Sequence, residues 1–214
     1  HYIEPFQIPG EWRIDRGYDH GQSAPASALW FAQSNGEELL IDGKVCGFPA
    51  GSIFVIDEKY FGTFDEKGLE LEPQEMAEQI RDHQIAHYLT RARPGPADNS
   101  IFEAAPGYNS IASTMGAVGI TWTKSDKTKG SRKRGVAFIK QMLSAAKQRS
   151  PDRPHLYIFT SCPRLWGHLI NLPRSEEDPD DVESVGTNDH DFDVLRYRAL
   201  KAKSEAREIE VEGT

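Results

Sequence analysis

Apolar residues recur at strand period through the first sixty residues, and after Pro73 at helical period with short strand-like runs between. That order restricts the chain to a mixed α/β architecture, because clustered early strands pair as an antiparallel sheet and alternating helices cover it. Ser52 to Tyr60 is the clearest strand: Ile53, Val55 and Asp57 alternate with Phe54, Ile56 and Glu58. Trp12 to Asp15 and Ala28 to Ala32 supply two more, with Gly17 and Gly21 loosening the backbone between them. Asn35-Gly36 marks a turn, and Gly43 to Gly51 reads as a loop or a short extra hairpin.

Beyond Pro73 the spacing predicts a helix to Tyr88 with its proline in the first turn, then a short buried strand ending near Asp98. A helix from Ser110 to Met115, a strand from Val118 to Trp122 and a helix from Arg134 to Gln148 follow. Leu156 to Phe159 reads as a compact parallel strand, Cys162 to Leu172 as a helix, and Glu176 to Glu183 as an acidic loop. Asn188 suits the cap of a final helix running to about Lys203, with a charged tail beyond Ser204. Three early strands, alternating helices and strands, then a closing helix fit an RNase H-like core of the RuvC/integrase type. In that core a mixed central sheet carries helices on both faces. The reading is one domain over residues 1–214, its core spanning about 12–202.

The formal charge of −8 argues against a protein that coats nucleic acid through surplus Lys and Arg. It leaves room for an enzyme that meets DNA at a local basic patch, since net charge averages over faces. Lys124, Lys127, Lys129, Arg132, Lys133 and Arg134 form such a run, opposed by Asp126 alone. Gly130 and Ser131 within it suit a segment that follows a phosphate backbone. Cys46 and Cys162 lack partners at zinc-ligand spacing; reduced thiols are the simpler reading and a single disulfide is the alternative. No apolar run approaches the roughly 18 residues of a membrane span. A chain that starts at His1, without Met or a signal-peptide pattern, reads as an excised fragment. The Gly-x4-Gly-Lys-Ser/Thr pattern of nucleotide-hydrolysing motors is absent.

Carboxylates at the ends of separate elements carry the chemistry. Asp15 closes the first strand and Glu58 the third, while Asp189-His190-Asp191-Phe192-Asp193 opens the last helix. Acids this far apart in sequence meet only on folding, and the chemistry that needs several at one point is divalent-metal phosphodiester cleavage. Pleating sends Asp57 and Glu58 to opposite faces, so one of them joins Asp15, and Glu58 is the better candidate. On a helix Asp189, His190 and Asp193 share a surface that Arg196 and Tyr197 extend, while Phe192, Leu195 and Ala199 face the core. Acidic capping of the helix alone would also favour negative charge there. Asp98 reads either as a fourth carboxylate or as an Asx-turn residue.

Four ordered motifs carry a family resemblance: Ile14-Asp15-Arg16-Gly17 with Pro25, Gly51 to Glu58 with Tyr60, Ala97-Asp98-Asn99-Ser100-Ile101-Phe102, and Asp189-His190-x-x-Asp193-x-x-Arg196-Tyr197. From about Trp12 to Ala202 the chain resembles the C-terminal nuclease domain of the large terminase subunit of tailed phages. The Leu156 to Cys162 strand and the Asp178-Pro179-Asp180-Asp181-Val182-Glu183-Ser184 loop add smaller echoes. The resemblance implies an RNase H-like fold and endonucleolytic cutting of concatemeric double-stranded DNA with two Mg²⁺ or Mn²⁺ ions. It further implies an ATPase domain before His1, a small terminase subunit and a portal as partners, and the host cytoplasm as location. Asp15, Glu58 and Asp193 match the family's catalytic, metal-binding triad, with Asp98, Asp189 and His190 as auxiliary positions. Arg16, where the family usually has Trp, and an apparent insertion at Tyr18 to Ser23 depart from the pattern beside Asp15. Other RNase H-like nucleases, such as a junction resolvase or an integrase-type enzyme, and a non-catalytic docking module for the portal are the alternatives.

Overall fold

The computed structural model describes residues 1–171 and 190–212, with side chains described through Ala202. Nine strands and five α-helices succeed one another along these residues. The strands are β1 (Tyr2–Ile3), β2 (Arg13–Asp19), β3 (Ala26–Gln33), β4 (Glu38–Ile41), β5 (Lys44–Gly47), β6 (Ile53–Phe61), β7 (Arg93–Ala97), β8 (Thr123–Lys124) and β9 (Leu156–Phe159). The helices are α1 (Pro73–Ala86), α2 (Ile111–Ala117), α3 (Ser131–Gln148), α4 (Pro163–Asn171) and α5 (His190–Glu212). Seven strands form one mixed sheet in the order β1-β9-β6-β3-β2-β7-β8, and β4 and β5 make a separate hairpin. Strands β2, β3 and β6 run antiparallel, whereas β7, β8, β9 and β1 are added in parallel, as helical crossovers require.

Strand β3 lies at the centre, with Ala26 to Ala32 completely buried apart from a trace at Ser27. Its alternate side chains feed two cores. Trp30, Ala28 and Ala32 pack toward Met76, Ala77 and Ile80 of α1 and Met115 of α2. Leu29 and Phe31 pack toward Val136, Ile139 and Met142 of α3, Leu165 of α4 and Leu195 of α5. Helices on both faces of a mixed sheet make this an RNase H-like fold, in agreement with the element order.

Several predicted boundaries move, each for a packing reason. Strand β2 runs past Gly17 to Asp19, so Tyr18 and Asp19 continue the strand that the sequence ends at Asp15. Gly17 stands under α5, where a Cβ would come within 2.7 Å of Val194 Cγ1, so its role is close approach and not a loosened backbone. Val118 to Trp122 is not a strand: Gly119 takes φ 90° and Ile120 and Trp122 are buried from a loop, leaving only Thr123–Lys124 to pair with β7. Helix α1 begins at Pro73 as expected, closed by a reciprocal cap between Glu72 and Glu75. The Glu176 to Glu183 loop and Asn188 lie outside the described residues.

A bulge in β6 decides which way its acids point. Trp30 pairs with Asp57 and Phe31 with Val55, which leaves Ile56 as the extra residue and reverses the alternation beyond it. Asp57 therefore joins Trp30 on the α1 face and Glu58 joins Leu29 on the α5 face, opposite to an unbroken pleat. Replacing Gly17 by Ala should overpack the β2–α5 contact at a cost of about 1–3 kcal/mol. A lowered urea midpoint with unchanged slope is the expected readout.

Candidate metal and phosphodiester site

The C-terminal ends of β2 and β7 lie side by side because the two strands are parallel and Tyr18 pairs with Ala97. Asp19 ends the first and Asp98 follows the second, where open α/β sheets place their sites. Helix α5 crosses the same end and contributes His190, Asp193 and Tyr197 from one face, as the spacing requires. The Tyr197 hydroxyl is the meeting point. It lies 3.3 Å from Asp19 Oδ1, 3.0 Å from Asp98 Oδ2 and 3.3 Å from Asp193 Oδ2.

Cations balance these acids. Lys127 donates to Asp98 Oδ2 and, at 2.9 Å, to the Tyr197 oxygen, with its ammonium over the tyrosine ring. The His190 ring pairs through Nδ1 with Asp19 Oδ2. Arg196 binds Asp193 at 2.9 Å, and Arg132 reaches it at 3.6 Å. The environments drive the carboxyls apart. Burial pushes Asp19 above the usual range, only partly offset by His190. Asp98 is also partly buried, but hydrogen bonds from Lys127 and Ser100 and the Lys127 charge hold it below that range. The two carboxyls thus sit in opposed electrostatic environments within one cluster.

No family profile and no curated protein matches the chain. Solved structures do. The P22 large terminase nuclease domain superposes with a TM-score of 0.63 at 12% identity, over 94% of this chain and 87% of the P22 chain. The large terminase nuclease from the thermophilic phage G20c, solved with bound cobalt, gives 0.52 at 12% identity over 94% and 92%. A large terminase from a further thermophilic bacteriophage gives 0.61 at 16% identity, over 94% of this chain and 42% of its own. This chain has the fold of a large terminase nuclease domain. It spans less than half the length of the last of these terminase chains.

Within that terminase nuclease fold, two expected residues stand elsewhere. Asp15 is fully buried in midstrand, with Arg198 Nε 2.6 Å from Oδ1 and Arg13 Nε 2.9 Å from Oδ2. Oδ1 accepts a hydrogen bond from Arg198 and Oδ2 is ion-paired with Arg13, so Asp15 docks α5 onto β2. Glu58 shares the α5 face but lies two strands away on β6, where it accepts the Arg164 and Leu165 amides at 2.8 and 2.9 Å. It caps the start of α4. Its neighbour across the gap is Asp191, which turns away from Asp193 to pair with His168 at 2.6 Å.

Asp98 fills both of the roles the sequence left open. Oδ1 accepts the Ser100 amide at 2.8 Å as a turn residue, and Oδ2 faces Tyr197. His190 and Asp193 both lie at the cluster, while Asp189 is outside the described residues. Asp19 was missed, although four residues after Asp15 it falls on the same face of any strand that continues through Gly17. Arg16 points to the opposite face, bonded to Gln84, Ala92 O and Thr121 O and stacked on Trp122, so it does not touch the acids. Burial lowers its pKa to about 10, which leaves it charged at neutral pH.

The basic run borders the cluster. Lys127 and Arg132 turn inward onto Asp98 and Asp193, and Arg134 binds Asp126 at 3.1 Å. Lys124, Lys129 and Lys133 are exposed. Arg132, Lys133 and Arg134 occupy the first turn of α3, which contains no acid of its own at the positive end of the helix dipole. That adverse local placement concentrates positive potential beside the carboxylates.

Two outcomes separate the structural acids from the cluster. Asp15→Asn leaves Arg198 buried without its counter-ion and should cost about 3–5 kcal/mol in chemical denaturation. The paired change Asp15→Leu with Arg198→Met should recover much of that loss. For Glu58, burial raises the pKa from 4.5 to about 7, so the fold favours its neutral form. Its contribution is therefore fully present below pH 4.5 and declines as pH rises to about 7. The difference in unfolding free energy between wild type and Glu58→Gln, followed across that window, should show this slope.

Proposed function

We propose that the chain is the nuclease domain of a phage DNA-packaging enzyme, a divalent-metal-dependent endonuclease for double-stranded DNA. The convergence of Asp19, Asp98 and Asp193 from three separate elements on one tyrosine hydroxyl carries this reading. In it Asp19 takes the place expected of Asp15, Asp98 takes that expected of Glu58, and Asp193 keeps its own. The donor set fits the group: carboxylate oxygens from rigid strand ends and a helix suit Mg²⁺ or Mn²⁺. A pair of such ions is what the resemblance to terminase nucleases implies for this cluster. The cobalt seen in the G20c nuclease supports divalent binding in this fold.

When bound, the ions supply an activated water and neutralise charge on the scissile phosphate. The chain's own residues do the rest. Lys127 gives Asp98 its counter-charge, and the His190 ring holds Asp19 through Nδ1. Tyr197 donates its one hydroxyl proton into the cluster, Asp98 Oδ2 being the acceptor at the shortest distance, 3.0 Å. Exposed Lys124, Lys129 and Lys133 and the cationic start of α3 receive the phosphate backbone, which places the scissile bond over the acids. In the intact protein an ATPase domain, a small subunit and a portal would deliver the DNA.

Asp19→Asn, Asp98→Asn and Asp193→Asn should each reduce Mn²⁺-supported cutting of linear or plasmid duplex by roughly a hundredfold or more. Each should remain folded by circular dichroism. Chelation should abolish cutting by the wild type, and Mn²⁺ should raise its melting temperature. Cutting that survives chelation, or undiminished cutting by the Asp19 and Asp193 variants, would remove the proposal. Selective cutting of four-way junctions would move the chain to the resolvase type.

A further inference from the structure

A second constellation of metal-ligand type lies on the other face of the sheet, away from α5. His83 and His87 stand four residues apart near the end of α1, and both rings turn toward Asp57. His83 Nε2 is 3.1 Å from Asp57 Oδ1 and His87 Nδ1 is 2.6 Å from Oδ2. Among the described residues this is the one group of three such side chains whose ligand atoms all lie within 4.8 Å of each other. Ligand atoms on a tetrahedral ion with bonds near 2.0 Å stand roughly 3.3 Å apart, so only small side-chain shifts separate this arrangement from a coordination sphere.

We infer that Asp57, His83 and His87 form a binding site for a borderline divalent cation of the Zn²⁺ class, which ties α1 to the sheet. Two imidazoles and one carboxylate select Zn²⁺, Co²⁺ or Ni²⁺ over Mg²⁺, whose preference is for oxygen. The surroundings are those of a held ligand set. The His83 ring stacks on Trp30 at 4.8 Å, and the Glu58 amide donates to Asp57 Oδ1 at 2.8 Å, so both of these ligands are oriented by their neighbours. Asp57 and His83 are nearly closed off, with side chains 12% and 13% exposed, whereas His87 at 48% leaves an open side. A cation can enter there and keep a water ligand. The β6 bulge is what makes the site, because an unbroken pleat would turn Asp57 away from α1.

The site is independent of the proposed nuclease reading, and the test keeps them apart. The chain is titrated with ZnCl₂ by calorimetry in excess Mg²⁺, which saturates oxygen-rich sites. One Zn²⁺ per chain is expected, with shifts of two histidine ring-proton sets in the wild-type NMR spectrum. His87→Gln, a change at a half-exposed position, should weaken Zn²⁺ at least tenfold, roughly the smallest loss seen on disturbing a metal ligand shell. Asp193→Asn should leave Zn²⁺ affinity unchanged. Absence of stoichiometric Zn²⁺, or affinity lost with Asp193 and kept with His87, would show a hydrogen-bonded trio only and overturn the inference.

Discussion

The seating of α5 across β2 is the constraint on which everything else rests. Two features impose it: the absence of a side chain at Gly17 beneath Val194, and the buried pair between Asp15 and Arg198. Ion pairs taken out of water add little net stability, but breaking one is costly, so they select one arrangement over its neighbours. With α5 held in that register, Asp193, His190 and Tyr197 arrive at the strand ends.

The acid cluster is a balance of like charges held at close range by cations. Asp19 is the most desolvated of its carboxyls and Asp98 the best compensated, so the two sit on opposite sides of the ordinary range. Such a cluster is costly to pack, and under the proposed function bound divalent ions would take over the charge balance that Lys127 now provides. The first turn of α3 adds positive potential at its own local cost. The negative net charge of the whole chain and the basic rim of the site are thus compatible, because they belong to different surfaces.

Much of the fold was legible. Strand and helix periods located nearly every element, and Leu156 to Phe159 emerged with its expected ends. What failed was register. A strand ending at Asp15 and a strand ending at Asp19 look alike when Gly17 reads as a break, and only the packing of Val194 shows why that glycine belongs inside. The bulge at Ile56 left no mark in the pattern, yet it reversed Asp57 and Glu58 and so created the Asp57–His83–His87 group. Asp15 and Glu58 failed as cluster members for one reason. Being on the right face says nothing of distance along or across a sheet.

By itself the sequence determined the mixed α/β class, the helical surface that presents His190 with Asp193, and the supply of acids at element ends. Those properties are periodic or compositional, and local physics expresses them wherever the elements go. Tertiary structure alone decided which acids meet: Asp19 and Asp98 because parallel strands end together, and Asp15 with Arg198 because midstrand burial demands a counter-ion. Convergence is set by strand pairing and helix docking, and neither interaction is encoded within the few residues that it joins.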